Sequence, residues 1–194
     1  MDEETSDEIM AATYRALCDH GFADLTMQDI ADESSKSKAA LHYHYDTKEK
    51  LLQAFLEHIL DDFEDRLASE TADPRDRLQT FLEAVFGPTE DDRGDFPVAL
   101  LEIKAQAPYH DAYRERLAAM DERMRETVAD AVRDGVAASD FDDADPDDVA
   151  RFVVTAINGA HTREVALGED PSETRRLVES YLDRTLDPTP EMVA

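Results

Sequence analysis

Hydrophobic period constrains this chain more than any other feature. Apolar residues recur at steps of three and four along almost its whole length. Nowhere does the strict apolar–polar alternation of a half-buried strand persist. An all-α fold follows. The pattern is widest in Leu52, Phe55, Leu56, Ile59, Leu60, Phe63 and Leu67, one face of a long helix. It is longest in Tyr109, Tyr113, Leu117, Met120, Met124, Val128 and Val132.

Start and stop residues cut this pattern into about nine helices. Three short ones are expected up to residue 45: Asp7 to His20, stopped by Gly21, then one opening at Thr26 and ending near Ser34, then Ser37 to His44. Thr26 with Asp29 has the spacing of a capping box. Six longer helices follow, over about 48–69, 74–86, 96–107, 109–135, 146–167 and 171–186. Thr47 caps the first, and Pro74, Pro146 and Pro171 sit at first turns. Residues 88–95 and 138–145 read as loops, and the tail from Asp187 as frayed.

Several classes are excluded early. No run of 18 apolar residues exists, so no membrane span is expected. The acidic start MDEETSDEIM lacks the basic and apolar regions of a signal peptide, which predicts a cytoplasmic product. The lone Cys18 rules out an internal disulfide and reads as a buried small thiol, with Asp19 beside it opposing a thiolate. There is no nucleophile elbow, phosphate loop or HExxH, so the chain is not read as an enzyme and no cofactor is expected. His42 and His44 are two apart on a helix and point away from each other, so no metal site is expected.

The net charge of −27 opposes binding to phosphate, which rests on Lys and Arg. Its distribution says otherwise. Of five lysines, Lys36, Lys38, Lys48 and Lys50 lie within residues 36–50, leaving that segment locally at +2 against Asp46 and Glu49. Only Lys104 lies elsewhere. The acidic, lysine-poor surface resembles that of proteins from organisms with molar salt in the cytoplasm, where a Debye length of about 3 Å screens carboxylate repulsion.

Two short helices joined by a three- or four-residue turn, 27–34 and 37–44, have the spacing of a helix-turn-helix. The second would enter the major groove of duplex DNA with its N-terminal residues at base edges. Thr26, Ser37 and Thr47 open helices whose free N–H groups favour phosphate, and Lys48 adds charge at the third. His42, Tyr43 and His44 offer a polar, partly aromatic surface. Leu41 and Tyr45 step by four and should pack inward with Ile30 and Ala31.

The run GFADLTMQDIADESSKSKAALHYHYDTKEKLL, extended back to Ile9, resembles the N-terminal signature of TetR/AcrR-family transcriptional regulators almost without gaps over residues 9–52. The likeness includes Gly21-Phe22, Leu25-Thr26, Ile30-Ala31, Ser37-Lys38, the Leu-His-Tyr-His-Tyr block and the closing Thr-Lys-Glu-Lys-Leu. It implies that Thr26, Ser37, Lys38, Ala39, His42, Tyr43, His44 and Lys48 fall where the family contacts DNA; Lys36 and Thr47 complete the expected interface. Two positions depart from the pattern. Ser35 and Lys36 stand where the turn usually has Gly then an apolar residue, so Lys36 is expected to add a phosphate contact at some cost in packing. Ala39 replaces a frequent Gly. Lys36 and Lys48 should each add about one unit to the salt slope of binding.

The resemblance further implies an N-terminal three-helix helix-turn-helix domain over 1–47, a helical ligand-binding and dimerisation domain over 48–187, and a tail over 188–194. The expected function is a ligand-released repressor that binds a palindromic operator as a homodimer. A helical interaction module, or a ligand-independent activator or architectural DNA-binding protein, is the alternative. The last two helices are expected to pair with a second copy through Phe152, Ala156, Gly159, Ala160, Arg163, Leu177 and Tyr181. The expected pocket lining is Phe55, Ile59, Phe81, Phe86, Leu101, Tyr113, Met120 and Met124, suited to a small apolar or amphipathic effector.

Overall fold

A computed structural model describes residues 3–67, 72–87 and 96–187, and these residues are all-helical. They form α1 (Glu3–Asp24), α2 (Met27–Asp32), α3 (Lys38–His44), α4 (Lys48–Leu67), α5 (Pro74–Phe86), α6 (Phe96–Gln106), α7 (Asp111–Ala138), α8 (Pro146–Leu167) and α9 (Pro171–Leu186). The loop expected at 88–95 and the tail from 188 lie outside the described residues.

Local capping explains most boundaries. Thr26 and Asp29 form the expected capping box. The threonine hydroxyl accepts the N–H groups of Gln28 and Asp29, and the Asp29 carboxylate accepts the Thr26 N–H. Helices α5, α8 and α9 each open with an Asp–Pro pair, in which the aspartate carboxylate caps and proline takes the first helical position. Gly168 closes α8 in the left-handed conformation.

Two glycines behave differently from the expected stops. Gly21 (φ 67°, ψ 171°) kinks α1, and a further helical stretch continues to Asp24. Gly135 lies inside α7. The stop comes at Ser139, which takes the positive φ of 64° itself. Gly135 is needed for a close approach: a Cβ there would come within 2.1 Å of the Phe141 ring.

The described chain divides into two compact units, residues 1–62 with 89–118 and residues 63–88 with 119–194. This division differs from a cut after residue 47, because α1 packs on α6 and the start of α4 feeds the same core. The first core gathers Ile9, Leu17, Leu25, Ile30, Leu41, Leu52, Phe55, Ile103 and Tyr113. The second core gathers Phe63, Phe81, Val128, Val132, Phe141, Val153, Ile157, Val178 and Leu182; within it α9 packs on α5 and α8.

Candidate nucleic-acid interface

Helices α2 and α3 are short, and packing plus caps must position them. Met27, Ile30 and Ala31 bury one side of α2. In α3 only Leu41 is buried, at 0% exposure, with Tyr45 packed beside it as expected. The Ser37 hydroxyl accepts the Ala40 N–H at 3.2 Å and opens α3. The Thr47 hydroxyl accepts the Lys50 N–H at 3.3 Å and opens α4.

With one side of α3 committed to the core, the other is free. Lys38, Ala39, His42 and Tyr43 are all exposed and share a face spanning about 140° at 100° per residue. Tyr43 is 84% exposed, too much for a packing residue. Its ring meets His44 edge-on at 5.1 Å. His42 Nδ1 lies 3.0 Å from the Asp46 carbonyl, which only accepts, so Nδ1 carries the proton in this contact. In the neutral ring Nε2 is then an acceptor, matched to a base amino group.

Thr26, Ser37, His44 and Thr47 are likewise exposed. The two remaining candidates, Lys36 and Lys48, are half-buried and have internal partners. The Lys36 ammonium lies 3.1 Å from Glu8 Oε2. The Lys48 ammonium donates to the carbonyls of Phe22 at 3.1 Å and Leu25 at 2.9 Å and sits 4.9 Å above the Phe22 ring. Lys50 pairs with Asp46 at 2.6 Å. Among the described residues, Lys38 makes no hydrogen bond or ion pair, so its charge is open to solvent.

The carboxylates around this surface are held ionised. The Thr26 hydroxyl and N–H lower the pKa of Asp29. The Lys50 ammonium lowers that of Asp46. The hydroxyl and N–H of Ser35, with Lys36, hold Glu8 down at about 2. Burial raises the Tyr45 phenol.

Sequence reasoning missed the groups that support this surface. Arg15 on α1 reaches the end of α2, with Nε 3.0 Å from Glu33 Oε2 and an N–H donated to the Glu33 carbonyl at 2.6 Å. Glu8, seven residues earlier on α1, accepts the Ser35 N–H at 2.7 Å. Glu102 on α6 accepts the Phe22 N–H. Nothing in local spacing marks these residues.

The eight candidate pocket residues divide between the cores. Phe55 and Tyr113 are buried in the first, with Ile59 packed against it, while Leu101 is half-buried on α6. Phe81 and Met124 are buried in the second, with Phe86 and Met120 packed against it. The Tyr113 hydroxyl is buried without a hydrogen-bond partner, and burial pushes its pKa up to about 12.

Of the candidate dimer residues, Phe152 and Leu177 are 47% and 57% exposed. The Phe152 ring stacks on Tyr181 at 4.0 Å. Ala156 and Gly159 are half-buried, and a Cβ added at Gly159 would meet open space. Ala160 is buried within its own unit, and Arg163 is exposed and paired with Glu169.

Residues 9–55 match the family described as bacterial regulatory proteins, tetR family, and residues 74–187 match the C-terminal region of BetI-type transcriptional repressors. The HTH-type transcriptional regulator BetI of Agrobacterium fabrum is 27% identical over 192 residues, covering 94% of this chain and 88% of that protein. The crystal structure of a TetR transcription regulator from Haloarcula marismortui is 42% identical, covers 96% of this chain and all of its own, and superposes with a TM-score of 0.89. A transcriptional regulator from Saccharomonospora viridis, crystallised with choline, shares the fold at a TM-score of 0.84 and 22% identity, covering 97% of this chain and all of that one.

Proposed function

The chain belongs to the tetR family of bacterial regulatory proteins, and from that premise we propose that it is a ligand-released repressor binding a palindromic operator as a homodimer. Residues 1–47 serve as the DNA-binding domain and residues 48–187 as the ligand-binding and dimerisation domain. The observation that carries DNA binding is the uncommitted face of α3: an unpaired lysine and an 84% exposed tyrosine on a helix fixed by Leu41 and the Ser37 cap. Lys38 and Tyr43, with Ala39 and His42, read base edges. Thr26, Ser37, His44 and Thr47 hold phosphates. The acidic surface suits a cytoplasm at molar salt, so the melting temperature should rise with KCl.

Fluorescence anisotropy with the DNA upstream of the chain's own gene, at molar KCl, tests this. Lys38→Ala and Tyr43→Ala should each weaken binding about tenfold or more, as loss of a base contact does. If neither does, α3 is not the reading element. The effector is a small apolar or amphipathic molecule. A thermal-shift screen at high salt should include fatty-acyl compounds and, since a relative of the same fold was crystallised with it, choline. Operator binding indifferent to every ligand class would favour a ligand-independent activator or architectural role.

A further inference from the structure

We infer that Glu8 is a positioning residue for the recognition helix: its carboxylate braces the turn before α3 and keeps Lys36 from serving as a phosphate contact. This deepens the DNA-binding reading and rests on it for one of its two tests.

The two oxygens of Glu8 serve different donors. Oε1 accepts the Ser35 N–H at 2.7 Å, and Oε2 faces the Lys36 ammonium at 3.1 Å. Both side chains are about two-thirds covered, at 32% and 30% exposure. The rest of the turn is polar too. The Ser34 hydroxyl accepts the Lys36 N–H at 3.0 Å and lies 3.3 Å from the carbonyls of Ala31 and Lys36. Arg15 grips Glu33 from the same helix. Residues 8 and 15 are two turns apart and share a face of α1. The turn that precedes α3 is therefore fastened to α1 by charge at two points. An apolar side chain at position 36 would have to be packed there instead.

The charge balance has a direct consequence for DNA. A lysine paired with a carboxylate releases little counterion when phosphate arrives, because its charge is already neutralised. Glu8 stays ionised at every working pH, with its pKa held at about 2 by Ser35 and Lys36. An ion pair this exposed adds only a little to global stability, so geometry and salt dependence read the brace more sharply than melting temperature does.

The test uses the full chain with Glu8→Gln, Glu8→Ala and Lys36→Met. Operator affinity is measured against KCl from about 0.5 to 3 M. Wild type and K36M should share one slope of log K on log salt. E8Q, which keeps an acceptor for Ser35 and frees Lys36, should steepen it by about 0.9. A K36M slope shallower by about one unit would make Lys36 a phosphate contact and overturn the proposal. The second readout needs no DNA. Exchange of the Ser35 amide, followed by NMR, should be at least tenfold faster in E8A and close to wild type in E8Q. An unchanged rate in E8A overturns the brace. If the wild-type chain binds no upstream DNA, the DNA-binding reading fails, and the Ser35 amide alone decides the brace.

Discussion

Glu102 on α6 accepts the backbone N–H of Phe22 at 2.5 Å, across 80 residues of sequence. Gly21 causes the contact. Its positive φ breaks α1 and leaves the next N–H without a helical partner. The Phe22 carbonyl is held by Lys48, so the same residue is tied at both ends.

Disturbing this corner should be costly. A Cβ at Gly21 would lie 2.9 Å from Glu102 Oε2, at a φ that favours glycine. Gly21→Ala should destabilise by roughly 1–3 kcal/mol from strain, since φ 67° with ψ 171° is a backbone region adopted almost only by glycine. Glu102→Ala should cost about 1 kcal/mol by leaving a half-buried N–H unpaired. Urea unfolding checks both, and wild-type stability in the two variants would remove the corner's structural role.

Acid should expose the carboxylates of the reading head. Glu8 has its folded pKa depressed from 4.5 to about 2, first by Ser35 and then by Lys36. A depressed carboxylate contributes stability above its unfolded pKa and loses it as pH falls through the folded value. Melting temperature should therefore drop between about pH 5 and pH 2; Glu8→Gln should start slightly below wild type near neutrality, drop less over that window and converge with it in acid. Calorimetry at a series of pH values decides it; parallel acid limbs would deny Glu8 its share.

Gly135→Ala should destabilise the second unit by roughly 1–3 kcal/mol, the usual cost of overpacking. The added methyl would meet Phe141, a ring buried at 5% exposure beneath the Arg75 guanidinium. Thermal unfolding that shows no loss would mean that Phe141 swings aside.

Leu177→Asp and Phe152→Asp should convert a homodimer to monomer at micromolar concentration, because each places a charge on the exposed apolar face of α8 and α9. Sedimentation velocity reads the mass directly. A variant that stays dimeric shows that pairing uses another face.

Where a cap opens a helix, its start was legible in the sequence, because capping is local; the starts of α1 at Glu3 and α7 at Asp111 differ from the expected Asp7 and 109. Thr26 with Asp29, Ser37, Thr47 and the three Asp–Pro pairs act within three or four residues. The inward turn of Leu41 and Tyr45 was legible for the same reason. The supports of the reading head were not. Glu8 reaches 27 residues ahead, Arg15 reaches 18, and Lys48 reaches back 26 to a carbonyl. Long side chains choose such partners only once tertiary packing has brought the backbones together. A lysine clustered beside a recognition helix thus looks the same in sequence whether its ammonium faces DNA or a carbonyl. The stop expected at Gly135 was placed too early because that residue answers to Phe141, six positions on, and Ser139 supplies the left-handed turn.

All five lysines, Lys36, Lys38, Lys48, Lys50 and Lys104, fall in the unit that carries the helix-turn-helix; the other unit is built with arginine alone as its permanent cation. Lysine-directed chemistry therefore reads one unit and is blind to the other. A fluorescent ester or an acetylating reagent marks the lysines of that first unit only, Lys38 being an exposed and unpaired target among them. A lysine-to-lysine crosslinker that joins two copies must do so through their first units, so a crosslink map of this protein carries no information about contact between its α8 and α9 helices.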